Sequence, residues 1–71
     1  MNSLSLPLFD VWYVLPTGKH VGIVCKGETA LISFVSKLRR PAAIMFDGEH
    51  VGRVWKDGDR WNWFYDPEKL V

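Results

Sequence analysis

His20 and His50 hold the same place in two copies of one motif. Gly18-Lys19-His20-Val21-Gly22-Ile23-Val24 reappears thirty positions on as Gly48-Glu49-His50-Val51-Gly52-Arg53-Val54. Two imidazoles invite two kinds of chemistry, metal ligation and titration near neutral pH. A zinc site wants four ligands, with Cys or carboxylate completing the set, and the single Cys25 is directed to the opposite strand face from His20. The repeat therefore reads as two turn-proximal histidines copied along with a hairpin. No metal and no cofactor is expected, and a pH-sensitive contact is the chemistry left to the pair.

Nucleophilic catalysis finds no better footing. Ser33 and Ser36 fall in a helical pattern, and no Ser or Cys stands beside a His in a recognisable arrangement. Asp47, Glu49, Asp57 and Asp59 cluster where turn chemistry calls for carboxylates, not across a cleft from one another. A chain of 71 residues has no room for a deep enclosed cleft. No catalytic residue is assigned, and the expectation is a protein that is not an enzyme.

Binding chemistry is better represented. Four Trp, four Phe and two Tyr supply large contact area, and they also compensate for the marginal core of so small a domain. Lys26, Lys56, Arg60, Trp12 and Phe64 carry the charge and ring types that hold nucleic acid, with Arg39 and Arg40 nearby. Asp10, Glu49, Asp57 and Asp59 are interleaved with them, and the net charge of +1 gives no strong field toward phosphate. The lone Cys25 sits in an apolar strand and reads as a buried reduced thiol.

The elements that must position these residues are legible from turn and periodicity signals. Residues 1–7 form a loose N-terminal arm without the basic and apolar regions of a signal peptide, and no apolar run reaches the ~20 residues needed to span a bilayer. A cytoplasmic protein is expected. Residues 8–26 make a first hairpin around Pro16-Thr17-Gly18, and 28–40 a helix with Leu31, Phe34, Val35 and Leu38 on one stripe. Glu28 lies at its N-terminal end, and Lys37, Arg39 and Arg40 at its C-terminal end before Pro41. Residues 42–65 make a three-stranded meander through Asp47-Gly48 and Asp57-Gly58, and 66–71 a polar tail. The order is β-β-α-β-β-β, a single α+β domain in which antiparallel hairpins form a sheet with one helix packed on one face.

Register decides which side chains are buried. A two-residue Thr17-Gly18 turn would ask Pro16 for an N–H it lacks, so a three-residue Pro16-Thr17-Gly18 loop is expected, setting Leu15 against Lys19 and Trp12 against Gly22. Phe9, Val11, Tyr13, Val21, Ile23 and Cys25 then lie under the helix. The same loop applied to the later hairpins adds Ala43, Met45, Val51, Arg53, Trp55, Trp61, Trp63 and Tyr65 to that face. Arg53 is its one charged member and must reach an edge or stack on a ring. Two-residue type I′ turns, which Asp-Gly favours, would reverse the faces there, and the choice stays open. The other face collects Asp10, Trp12, Val14, His20, Gly22, Val24, Lys26, Ile44, His50, Gly52, Val54, Lys56, Arg60, Asn62 and Phe64; of these Trp12, His20, His50, Lys56, Arg60, Asn62 and Phe64 are the candidate partner-binding residues, with Trp12, Arg60 and Phe64 as anchors. Gly22 and Gly52 fall mid-strand, where a close neighbour is expected, such as Trp12 lying over Gly22.

The stretch Phe46-Asp47-Gly48-Glu49-His50-Val51-Gly52-Arg53-Val54-Trp55, with Asp57-Gly58 and Trp61-Asn62-Trp63 after it, resembles small phage- and prophage-encoded proteins. Their pattern is an Asp-Gly-x-x-Val-Gly hairpin followed by a Trp-x-Trp strand. The resemblance covers the second half only and carries no activity. It implies a mobile-element setting, in which small proteins bind and inhibit or redirect a larger host complex such as a CRISPR or restriction machine. The expected partner is thus a larger protein or ribonucleoprotein, the alternative is nucleic acid, and membrane is not expected. The chain itself is expected to be a monomer or a weak homodimer through an unpaired strand edge.

Overall fold

The computed structural model describes residues 6–70. Its order is β1 (Leu8–Val14), β2 (His20–Lys26), α1 (Gly27–Val35), β3 (Ala42–Phe46), β4 (Glu49–Asp57), β5 (Arg60–Tyr65) and a short 3₁₀ turn (Pro67–Leu70). The five strands form one antiparallel sheet in the order β2-β1-β3-β4-β5. This is the α+β arrangement read from the sequence. β2 and β3 flank β1, so α1 lies on the crossover between two strands that run parallel to each other with β1 between them.

The first hairpin has the expected register. Leu15 donates its N–H to the Lys19 carbonyl, Gly18 donates to Leu15, and Trp12 pairs with Gly22. Phe9, Val11 and Cys25 are buried on the inner face, against Leu31 and Val35 of α1. Phe34 and Leu38 pack against the same core and are half-buried. Burial in this apolar surround also raises the Cys25 thiol pKa.

The helix is shorter than its hydrophobic stripe. It stops at Val35, not at residue 40, and neither Lys37, Arg39 nor Arg40 lies in its last turn. Serine hydroxyls compete with the helical backbone at this point. Ser36 Oγ donates to the Ser33 carbonyl at 3.1 Å, and Arg39 Nη1 reaches the Ser36 carbonyl at 3.3 Å. Pro41 disfavours helical backbone at residue 40. Leu38 still reaches the core from the connecting turn.

Backbone bonds tie the described part of each end to the rest of the fold. Residues 1–5 and 71 lie outside the described residues. Within the rest, the Pro7 carbonyl accepts the Gly27 N–H at 2.7 Å, and the Leu6 side chain lies over Gly27. After β5, Asp66 N–H bonds the Val51 carbonyl, and Asp66 Oδ1 accepts the Glu68 N–H at 3.0 Å, which starts the 3₁₀ turn.

The second and third hairpins correct the three-residue loops. Phe46 pairs with Glu49 around a two-residue Asp47-Gly48 turn, with φ of +52° at Asp47 and +80° at Gly48, the pair of left-handed residues that type I′ needs. Asp57 pairs with Arg60 around Gly58-Asp59, with φ of +63° at Gly58, the type II′ pattern of a glycine at the first central position. A bulge then intervenes in β4. Met45 faces His50 but Ile44 faces Gly52, so Val51 is the extra residue. The bulge is what rescues the burial pattern. Without it, the Asp47-Gly48 register would drive Arg53 inward and Val54 outward. With it, Val51 and Val54 are both buried and Arg53 is delivered to solvent.

Candidate protein-binding face

The face opposite α1 is defined by the pairing of the five strands. One row crosses the whole sheet at right angles to the strands: Gly22, Trp12, Ala43, Arg53 and Phe64. Each is the direct neighbour of the next, so their side chains emerge side by side. Trp12 is 49% exposed and Phe64 56%. Val14 and Val24 stand beside Trp12 on the same face and are 50% and 58% exposed. Exposed apolar residues are ordinary singly, but a contiguous group on one sheet face is the mark of an interaction surface.

Local packing holds the row in place. Gly22 leaves the space that the Trp12 ring fills, since a Cβ there would lie 2.7 Å from Trp12 Cζ3. Gly52 has a different reason. A Cβ there would collide with the Phe64 backbone carbonyl and lie 3.0 Å from Ile44 Cδ1, so β5 can approach β4 at the bulge only because residue 52 is glycine. The close neighbours of both mid-strand glycines are thus internal to the fold. Arg53 turns along the face and stacks its guanidinium 4.6 Å from the Trp55 ring centroid. The ring stacking follows the sequence reading, but on the opposite face.

Of the sequence candidates, Trp12, His20, His50, Arg60, Asn62 and Phe64 share this outer face. Lys56 does not. It pairs with Trp61 on the helix side, with Nζ 6.0 Å from that ring's centroid. The bulge is responsible, because it reverses the alternation of β4 beyond Val51. By the same step Arg53 and Trp55 join the outer face, and the β1–β3 register brings Ala43 and Met45 there opposite Trp12 and Asp10. These residues were expected on the core side, whereas Ile44, Gly52 and Val54, expected on the open face, lie buried on the helix side. The signal that could have placed Arg53 and Trp55 is Gly52, since a glycine inside a strand pattern marks a bulge or a close approach.

The histidines do not form a pair. They are three strands apart across the sheet and at opposite ends along it, roughly 20 Å by strand spacing and rise, so one ion cannot bridge them. No group of three or more His, Cys, Asp or Glu side chains able to hold a metal occurs among the described residues. His50 instead lines a hollow of about 120 Å³ at the bulge, with Arg53, Phe64, Asp66 and Lys69 around it. His50 and Arg53 of β4 and Lys69 of the C-terminal turn line it together with the Asp66 carboxylate and the Phe64 ring, a mixed polar setting beside an aromatic.

On the helix side, Tyr65 links the far strand to α1. Its ring meets Phe9 edge-on at 5.4 Å between centroids, across the position that Gly52 leaves without a side chain. Its hydroxyl donates to Glu28 Oε2 at 2.8 Å. Burial, that hydrogen bond and the negative charge of Glu28 push the Tyr65 pKa up to about 12. This tie keeps the sheet closed on the helix and leaves the opposite face as the open one. Among the described residues, no helix is long and apolar enough to cross a membrane. Comparison with protein-family models, with curated proteins and with solved structures yields no match to this chain.

Proposed function

We propose that this protein is a small non-enzymatic binding module that docks a larger protein through the open sheet face. The observation that carries the reading is the row Trp12, Ala43, Arg53, Phe64, continuous across four strands and about half exposed at both aromatic members. Trp and Arg dominate interface hot spots because each joins large contact area to hydrogen-bonding groups. Arg53, held flat on Trp55, has already lost part of its conformational freedom and its hydration, which lowers the cost of pairing it with a partner carboxylate.

Nucleic acid is the second reading, and the Arg53–Trp55 stack is what favours it, since rings and guanidinium together hold single strands. Two features support protein instead. Val14 and Val24 are aliphatic, give a base nothing to stack on, and bury well against an apolar protein surface. Asp10, next to Trp12 on β1, would repel a phosphate track along the row. The resemblance to small phage and prophage proteins supports a cytoplasmic setting and a role in inhibiting or redirecting a larger host complex, with CRISPR and restriction machines as the first partners to try. The test is affinity for the captured partner after nuclease treatment, measured as a function of salt. A modest salt dependence with nuclease-resistant binding supports the protein reading, whereas a steep linear fall of log affinity with log salt supports nucleic acid.

A further inference from the structure

The edge of the sheet at β5 differs from the edge at β2. Between Arg60 and Tyr65 the strand is Arg-Trp-Asn-Trp-Phe-Tyr, whose one charge stands at its first position, with no charge, Pro or Gly in the five residues after it. β2 carries Lys26 at its end and Gly22 at its centre, and α1 packs closest to it. Edge strands are ordinarily blunted by such charges and interruptions. The exposure pattern of β5 is also peculiar. Trp63 and Phe64 are adjacent, so they point to opposite faces, yet they are 38% and 56% exposed. A partner docking on either face covers one of them. A strand added at the edge touches both.

We infer that β5 pairs antiparallel with β5 of a second copy of this chain. The two-residue turn makes Asp57 and Arg60 a hydrogen-bonded pair, so Arg60, Asn62 and Phe64 direct their backbone groups to β4. The Asp66 N–H bonded to the Val51 carbonyl continues this series. The backbone groups of Trp61, Trp63 and Tyr65 are then the ones directed outward. A twofold axis at Trp63 places Trp61 opposite Tyr65 of the second copy and Asn62 opposite Phe64 of the second copy. It also sets Arg60 against Asp66 of the second copy at both ends, a charge match that the register one step away lacks. One carboxylate oxygen of Asp66 already accepts the Glu68 N–H, and the other meets the guanidinium. The product is a ten-stranded sheet with both open faces on one side, so it presents two docking rows in which Phe64 lies at the seam and Trp12, Ala43 and Arg53 stay open.

Sedimentation equilibrium from about 1 µM to about 1 mM reads the association directly. Wild type should be a reversible dimer. Trp63→Pro removes an outward N–H while sparing the ladder to β4, and should be monomeric with an unchanged circular dichroism spectrum. Arg60→Asp turns two symmetric attractions into repulsions and should weaken the dimer about tenfold or more. Arg60→Asp with Asp66→Arg should restore it. Trp12→Ala should leave it unchanged. A wild type that stays monomeric over the whole range overturns the inference. So does a dimer that ignores the charge swap, or one that Trp12→Ala abolishes, which would place the contact on the sheet face instead.

Discussion

The Trp12 ring lies over Gly22 so closely that a Cβ at residue 22 would sit 2.7 Å from ring carbon Cζ3. The obstruction is the side of an exposed ring that can swing away. At Gly52 the obstruction is the Phe64 carbonyl, which belongs to the sheet ladder and cannot move alone. Gly52→Ala should therefore cost about 2 kcal/mol or more of unfolding free energy, and Gly22→Ala about 1 kcal/mol or less. Urea denaturation of both variants checks the ranking. Equal costs would mean that Trp12 is fixed by something other than its fit over the glycine.

Tyr65 and Glu28 join strand β5 to the start of α1 through one hydrogen bond of 2.8 Å. Tyr65→Phe should lower stability by about 0.5–1.5 kcal/mol at neutral pH. The pH dependence follows from the sign of the shift. The folded pKa of about 12 lies above the unfolded value of about 10, so the stabilisation is fully present below pH 10 and is lost as pH rises from 10 through 12. Melting curves of wild type and Tyr65→Phe taken across that window should converge. Curves that already coincide at neutral pH would show that the phenol hydroxyl contributes nothing, and a difference that holds constant through pH 12 would show that it does not ionise in that window.

The first hairpin was readable because Pro16 has no N–H to give, which leaves one loop length and one register. The rest of the sheet needed two facts together. The Asp47-Gly48 turn shifts the β3–β4 pairing by one residue, and the Val51 bulge shifts it by one more from Gly52 onward, which reverses the faces again. Either one alone predicts the wrong neighbour for Arg53, and residue types on β4 fit both alternations, since Val51 and Val54 have opposite parity. The helix end was obscured for another reason. Lys37 to Arg40 are good helix formers, and what stops the helix is local hydroxyl bonding and Pro41, not a break in the apolar stripe. The candidate face was thus half visible. Trp12, Phe64 and the histidines were found from alternation, while Arg53 and Trp55 were hidden by the bulge.

Asp47 carries a side chain at φ +52°, which costs an ordinary L-residue about 1 kcal/mol. Asp47→Gly should be neutral or slightly stabilising, and Asp47→Val should cost about 1–2 kcal/mol. Thermal unfolding of the two variants tests this, and a tolerated valine would contradict the type I′ turn on which the β4 register rests.

Leu31 and Val35 are fully buried beneath the sheet, whereas Leu38 reaches the core from beyond the helix end and is only half-buried. Leu31→Ala should cost about 2–5 kcal/mol, a large part of the stability of so small a domain, and Leu38→Ala visibly less. Chemical denaturation orders them. The reverse order would mean that the helix continues through residue 38.

The claim that the open sheet face is the docking surface is tested most directly by partner affinity across a matched set of surface variants. Trp12→Ala, Arg53→Ala and Phe64→Ala remove the row, and Ile32→Ala removes an exposed apolar side chain on the helix as control. Circular dichroism should show all four folded. With the nuclease-resistant partner captured from host lysate, isothermal titration should give a loss of about 2 kcal/mol or more for Trp12→Ala, Arg53→Ala and Phe64→Ala, and none for Ile32→Ala. Undiminished binding by the three row variants, or loss confined to Ile32→Ala, would contradict the account and move the site to the helix side of the molecule.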